Sequence, residues 1–286
     1  MELIDIGANL ADESFDADRE AVIERAAAAG VRRMIVTGTG LDESESALAL
    51  AERRPAVLRC TAGIHPHLAT QWTDSPQEAR RRLGGVLGSQ RAVAAGECGL
   101  DYFRNLSPPR AQRAAFAGQL ELAAERGKPL FLHQRDAHDD FLAMLKEHGV
   151  SRIGGVAHCF TGGPGQAESY LDLGLYIGIT GWILDERRNH DLLKAIPLIP
   201  PDRVLLETDS PYLLPRHPDV KPRRKRRNEP RFLPYVAREL ARRMGIDAEE
   251  LAAAACRNAQ ALFGWPNAEQ SDQQIAAGRF DRQLLG

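Results

Sequence analysis

The sequence predicts an α/β chain folded as a (β/α)8 TIM barrel, and three observations carry that prediction. Short β-rich apolar runs alternate with longer amphipathic stretches from one end to the other. Eight such units fit into roughly 260 residues, the count and length of this barrel. The first strand is followed by an isolated Gly7 rather than a glycine-rich phosphate loop, which argues against a doubly wound open sheet.

Strands are expected at residues 3–6, 33–37, 58–64, 92–97, 130–133, 155–159, 176–180 and 204–207. Helices are expected between them at 16–29, 43–53, 76–87, 109–126, 139–146, 166–173 and 186–195. Gly30, Gly127, Gly149 and Gly174 close several of these stretches, as glycine often does at a helix C-terminus. Two further helices, 231–244 and 248–263, follow the eighth strand and double the last connection. No Pro/Gly/Ser linker divides the chain, so 1–266 is read as a single barrel domain and 267–286 as a polar C-terminal tail.

Hydrophobic residues make up 43% of the 286, enough for a full core without disulfides. Charge is balanced, 37 basic against 39 acidic residues, so nucleic-acid binding would have to come from local clustering. The N-terminus lacks a basic, then apolar, signal-peptide pattern, and no window is apolar enough to span a membrane. Cys60, Cys98, Cys159 and Cys256 form no CxxC pair and are read as reduced thiols. A cytoplasmic monomer with no membrane partner is expected.

The chemistry is expected where the strands end, because in this barrel those ends converge on one face. The third strand runs into His65, the fourth into Glu97, the fifth into His133, the sixth into His158 and the eighth into Asp209. Taken singly, a strand-end histidine is an ordinary hydrogen-bonded residue and an aspartate a turn former. Five such groups on five strands are harder to explain that way. Gathering them in a barrel mouth without a cation would leave charges buried and unpaired, at a cost of several kcal/mol. A divalent metal ion relieves that cost.

These segments resemble a known family. GIHPH at 63–67, GECGLD at 96–101, HQRDAH at 133–138 and HCF at 158–160 are similar to motifs of the TatD family of metal-dependent deoxyribonucleases. So are ITGW at 179–182 with DERR at 185–188, ETDSPYLLPR at 207–216 and RRNEP at 226–230. The likeness runs from about Ile4 to Gly264 and points to the bacterial TatD branch. It implies an amidohydrolase-like barrel hydrolase with one or two divalent cations. It further implies 3′→5′ exonuclease activity on single-stranded DNA and RNA, with Mg²⁺ as cofactor. Glu97, His133 and His158 would be metal ligands, and Asp209 a further ligand or the general base. His65 would contact a water on the cation or the scissile phosphate.

One departure bears on the metal count. Most relatives carry Asp-x-His-x-His on the first strand, whereas this chain reads Asp5-Ile6-Gly7-Ala8-Asn9. Glycine offers no ligand and asparagine one carbonyl oxygen, which weakens the case for two metals. Glu97, His133, His158 and Asp209 suffice for one cation that acidifies water and polarises a phosphoryl oxygen. Asp209 would accept the water's proton. The ligand types also suit Zn²⁺ or Mn²⁺, and Mg²⁺ rests on the resemblance alone.

Substrate contacts are expected from Asn9, Arg104, Arg135, Arg226 and Arg227. The last two belong to KPRRKRR at 221–227, a loop after the eighth strand that could follow a phosphate backbone or could simply be a solvated charged loop. Tyr102, Phe103, Trp182 and Tyr212 could stack on unpaired bases or pack loops against the barrel. Glu207 shares its strand face with Asp209 and is expected behind the ligands. Two other functions remain compatible. One is a different metal-dependent hydrolase, either an amidohydrolase or an aminoacyl-tRNA deacylase; the other is a non-catalytic nucleic-acid-binding protein.

Overall fold

A computed structural model describes residues 1–224 and 226–265 of the chain. Eight parallel strands follow one another in sequence order around one sheet. They are β1 (Leu3–Ala8), β2 (Val31–Val36), β3 (Leu58–Ala62), β4 (Ala92–Asp101), β5 (Leu130–Arg135), β6 (Gly155–Ala157), β7 (Tyr176–Ile179) and β8 (Val204–Leu206). The sheet closes on itself just past the end of β8. There Ala8 bridges Ser210, the Asp209 N–H donates to the Gly7 carbonyl at 2.8 Å, and the Asn9 N–H donates to that of Ser210 at 2.7 Å. This seam sets Asn9 and Asp209 side by side at the barrel mouth.

The outer layer comprises α1 (Arg19–Ala28), α2 (Leu41–Arg53), α3 (Thr70–Asp74), α4 (Pro76–Leu87), α5 (Pro109–Arg126), α6 (His138–Glu147), α7 (Pro164–Asp172), α8 (His190–Ala195), α9 (Leu233–Met244) and α10 (Ala248–Phe263). Every expected strand is present within a few residues of its expected limits. The short α3 was not expected, and residues 267–286 lie outside those described. Among the described residues no helix is long and apolar enough to cross a membrane.

The barrel interior is graded. Its lower half is a dry cluster of Ile4, Ile6, Ile35, Phe131, Val156 and Leu205, plugged by Ala259 and Phe263 of α10 and by Trp265. Apolar burial there leaves the opposite, C-terminal half free for polar groups. A second apolar layer packs the helices onto the outside of the strands.

One difference from the expectation matters for function. β4 does not stop at Glu97 but continues to Asp101, pairing Gly99 with His133 and Asp101 with Arg135. The strand passes this point only because residue 96 is glycine. Its φ is +135°, and a Cβ would sit 2.1 Å from the Phe131 carbonyl oxygen. The register shifts between Ala95 and Cys98 at this irregularity.

Candidate active site

Four of the five expected residues meet at one atom. Glu97 Oε1 lies 2.9 Å from His133 Nδ1, 2.9 Å from His158 Nε2 and 3.3 Å from His65 Nε2. The cluster forms the floor of an open cleft of about 850 Å³ at the C-terminal end of the strands. Asp209, the fifth, lines the same cleft, and its Oδ1 accepts a hydrogen bond of 3.0 Å from the Asn9 amide. Two cleft residues, Cys159 and Asp209, hold φ of 46° and 52°, uncommon for residues with a side chain.

The three imidazoles are held differently. His158 Nδ1 lies 3.1 Å from Glu207 Oε2. A carboxylate can only accept, so Nδ1 carries the proton and Nε2 is the atom left to face the cleft. His65 has the opposite arrangement: its Nδ1 accepts the His67 N–H at 3.1 Å, so in the neutral ring Nε2 bears the proton. His133 offers Nδ1 to Glu97, while its buried Nε2 has no hydrogen-bond partner and lies 3.6 Å from Asp101 Oδ2.

Proton affinities follow from these surroundings. Burial would push the Glu97 carboxyl up, but the imidazoles of His158, His65 and His133 together hold it well below the usual range. Burial opposes a charge on His158, yet Glu97 and Glu207 on either side raise it well above an ordinary imidazole. For His65 burial prevails and the ring falls to about 4, so it is neutral at physiological pH. Burial, with Glu97 and Glu207 nearby, pushes Asp209 up to about 7 despite the opposing pull of His158.

The donor set fits a divalent cation. Ligand atoms of His65, Glu97 and His133 lie within 4.8 Å of one another. Two features favour His158 over His65 as a ligand beside Glu97 and His133. His158 has the carboxylate-backed imidazole typical of metal sites, whereas the Nε2 proton of His65 makes it a donor. An orphaned, buried Nε2 on His133 is also what a site lacking its cation would show.

Sequence reading overlooked two residues here. His67 Nε2 lies 2.8 Å from Asp101 Oδ2, and Asp101 Oδ1 accepts the Arg104 N–H at 2.7 Å. Both lie in motifs already singled out; extending the β4 alternation four residues past Glu97 would have placed Asp101 on the same face. Glu207 is fully buried behind His158, as expected, and its Oε1 also accepts the Cys159 N–H at 2.5 Å. It occupies the space where a side chain at position 7 would begin, since a Cβ on Gly7 would lie 2.5 Å from Glu207 Oε2. Glycine on the first strand and the inward carboxylate of Glu207 are thus one arrangement.

The expected substrate contacts divide. Asn9, Arg104 and Arg135 line the cleft. None of the described residues of the 221–227 loop does, and Arg227 requires correction. The residue is 6% exposed, and its guanidinium grips Asp18 with two bonds of 2.8 Å while also meeting Glu229 at 3.1 Å. Glu229 in turn holds Arg25 and Arg231, and Asn228 donates to the Thr208 carbonyl. RRNEP is therefore a brace tying the last loop to α1, with Arg227 at its centre; Arg226 lies beside it in that loop. The DERR segment is likewise structural: Asp185 pairs with Arg187, Arg188 and Arg216. Trp182 packs its ring under Arg188 and donates its indole N–H to that residue's carbonyl, so it is a loop-packing aromatic.

Fold and site together define a (β/α)8 barrel with a candidate divalent-cation centre at its C-terminal mouth. Comparison with known proteins narrows the class. The model for TatD related DNases matches residues 4–264, and the chain belongs to that family. It is 50% identical over 262 residues to the 3′-5′ ssDNA/RNA exonuclease TatD of Erwinia tasmaniensis, covering 91% of this chain and 99% of that one. The protein of the same name from Salmonella typhimurium is 46% identical over 261 residues, covering 91% and 98%. Among solved structures, a TatD homologue from Escherichia coli K12 superimposes with a TM-score of 0.83 at 32% identity, covering 92% of this chain and 98% of that one.

Proposed function

We propose that the chain is a cation-dependent 3′→5′ exonuclease acting on single-stranded DNA and RNA. The observation that carries this reading is the Glu97-centred imidazole cluster on the floor of a cleft whose wall presents Arg104 and Arg135. A small neutral amide would gain nothing from those cations, whereas a phosphodiester is bound by them. Its similarity to relatives named 3′-5′ ssDNA/RNA exonuclease supports the choice of substrate.

Glu97, His133 and His158 would hold one divalent cation, with Asp209 as a further ligand or as the base. Such a cation supplies Lewis-acid polarisation of a phosphoryl oxygen and makes a water nucleophilic near neutral pH. Asp209, fixed by the Asn9 amide, accepts the proton of the attacking water. His65, neutral and protonated on Nε2, donates to a phosphate oxygen or to the leaving oxygen. Arg104 and Arg135 orient the diester. One cation rather than two is favoured because Glu207 fills the space a first-strand histidine would need. Mg²⁺ is the proposed ion, on family grounds. A cytoplasmic monomer fits four free cysteines and a cleft built from one chain.

The test uses single-stranded DNA labelled at either end. With Mg²⁺, products should shorten stepwise from the 3′ end, and chelator should stop the reaction. Full activity of Glu97→Ala or Asp209→Asn with cation present would remove those residues from the mechanism. Absence of any cleavage with Mg²⁺, Mn²⁺ or Zn²⁺ would overturn the function.

A further inference from the structure

Phe103 stands out beside the cleft, between Arg104 and the stacked Arg135 that line it. It is 56% exposed, although its backbone is held on both sides. The Tyr102 N–H donates to the Arg135 carbonyl at 2.9 Å, the Tyr102 hydroxyl bonds Asp140, and the Arg104 N–H donates to Asp101. A large apolar ring is thus presented to water from a fixed segment. Arg135 stacks on it, with its guanidinium carbon 3.8 Å from the ring centroid. Among the described residues Arg135 has no carboxylate partner, and it lines the cleft together with Arg104.

We propose that the Phe103 ring, backed by Arg135, is a stacking step for an unpaired nucleobase of the strand entering the cleft. This deepens the exonuclease reading and rests on it. The chemistry is a three-layer stack of guanidinium, phenyl ring and base. The guanidinium's cationic face strengthens the stack and its edge remains free for the adjoining phosphate. Such a step accepts any base, because each has a π-face. It refuses a base already paired in a duplex, so it selects for single strands at the point of entry.

The experiment compares the wild type with Phe103→Ala, Phe103→Leu and Phe103→Trp. Each is assayed on one oligonucleotide and on a strand of the same length whose sugars carry no bases. Loss of one stacked base predicts that Phe103→Ala raises KM for the normal strand by roughly 5- to 150-fold. Its kcat should stay near the wild-type value, and its KM for the base-free strand should not change. Phe103→Trp should bind the normal strand as the wild type does, and Phe103→Leu should resemble alanine. An unchanged KM in Phe103→Ala, full rescue by leucine, or an equal loss on the base-free strand would each overturn the proposal. If the wild type cleaves neither strand, the exonuclease reading fails instead. The stacking step is then read from Kd by fluorescence anisotropy of the same two labelled strands, with the same criteria.

Discussion

Replacing Glu207 with glutamine tests the site through a residue that does not touch the cleft. Both carboxylate oxygens of Glu207 accept, one from His158 Nδ1 at 3.1 Å and the other from the Cys159 N–H at 2.5 Å. An amide has only one accepting end. If its NH₂ faces Cys159, two donors oppose each other. If it faces His158, the ring must shift its proton to Nε2, which removes the lone pair a cation needs. The first arrangement loses a buried hydrogen bond and the second the metal-binding lone pair, and losing such an orienting partner typically weakens metal binding about 10- to 100-fold, or ~1.4–2.7 kcal/mol. The assay is calorimetric titration with Mn²⁺, with a melting curve for each protein. The pH dependence gives a second check. Burial opposes protonation of His158, but Glu97 and Glu207 together hold its proton affinity high, so protons compete with the cation as pH falls. Glutamine removes part of that hold, so the gap between wild type and variant should be widest at high pH and narrow on acidification. Unchanged affinity at pH 8 in a folded Glu207→Gln protein would refute the reasoning.

Three other outcomes follow from buried groups elsewhere. Burial, against hydrogen bonds from Thr208 and Gly7, pushes the Asp5 carboxyl up to about 8. A carboxyl with raised pKa favours the fold while protonated, so wild-type stability should decline between about pH 4 and pH 8 relative to Asp5→Asn; parallel melting curves across that window would refute this. Arg227→Ala leaves Asp18 and Glu229 short of a partner and should cost roughly 3 kcal/mol, seen in denaturant unfolding. Weaker DNA binding with unchanged stability would instead restore Arg227 to substrate contact. Gly96→Ala forces a Cβ against the Phe131 carbonyl at positive φ and should destabilise by at least about 3 kcal/mol; a melting temperature within a degree of wild type would be incompatible with this strand path.

The barrel was legible because its signals are local. Strand runs, glycine stops and the repeating unit length depend on residues close in sequence, and strand ends in such a barrel must converge. Those signals alone place His65, Glu97, His133, His158 and Asp209 on one face. Tertiary structure decided what each group does once there. The basic run at 221–227 reads as a phosphate contact until Asp18, some 200 residues earlier, turns Arg227 into a brace. Gly7 reads as a missing ligand until Glu207, just past the strand that closes the barrel, takes the space beside it. Asp101 lies beyond the expected end of the fourth strand until β4 runs past Glu97 and pairs it with His67. In each case the partner is distant in sequence, and only closure of the barrel sets the distances on which proton affinity and ion pairing depend.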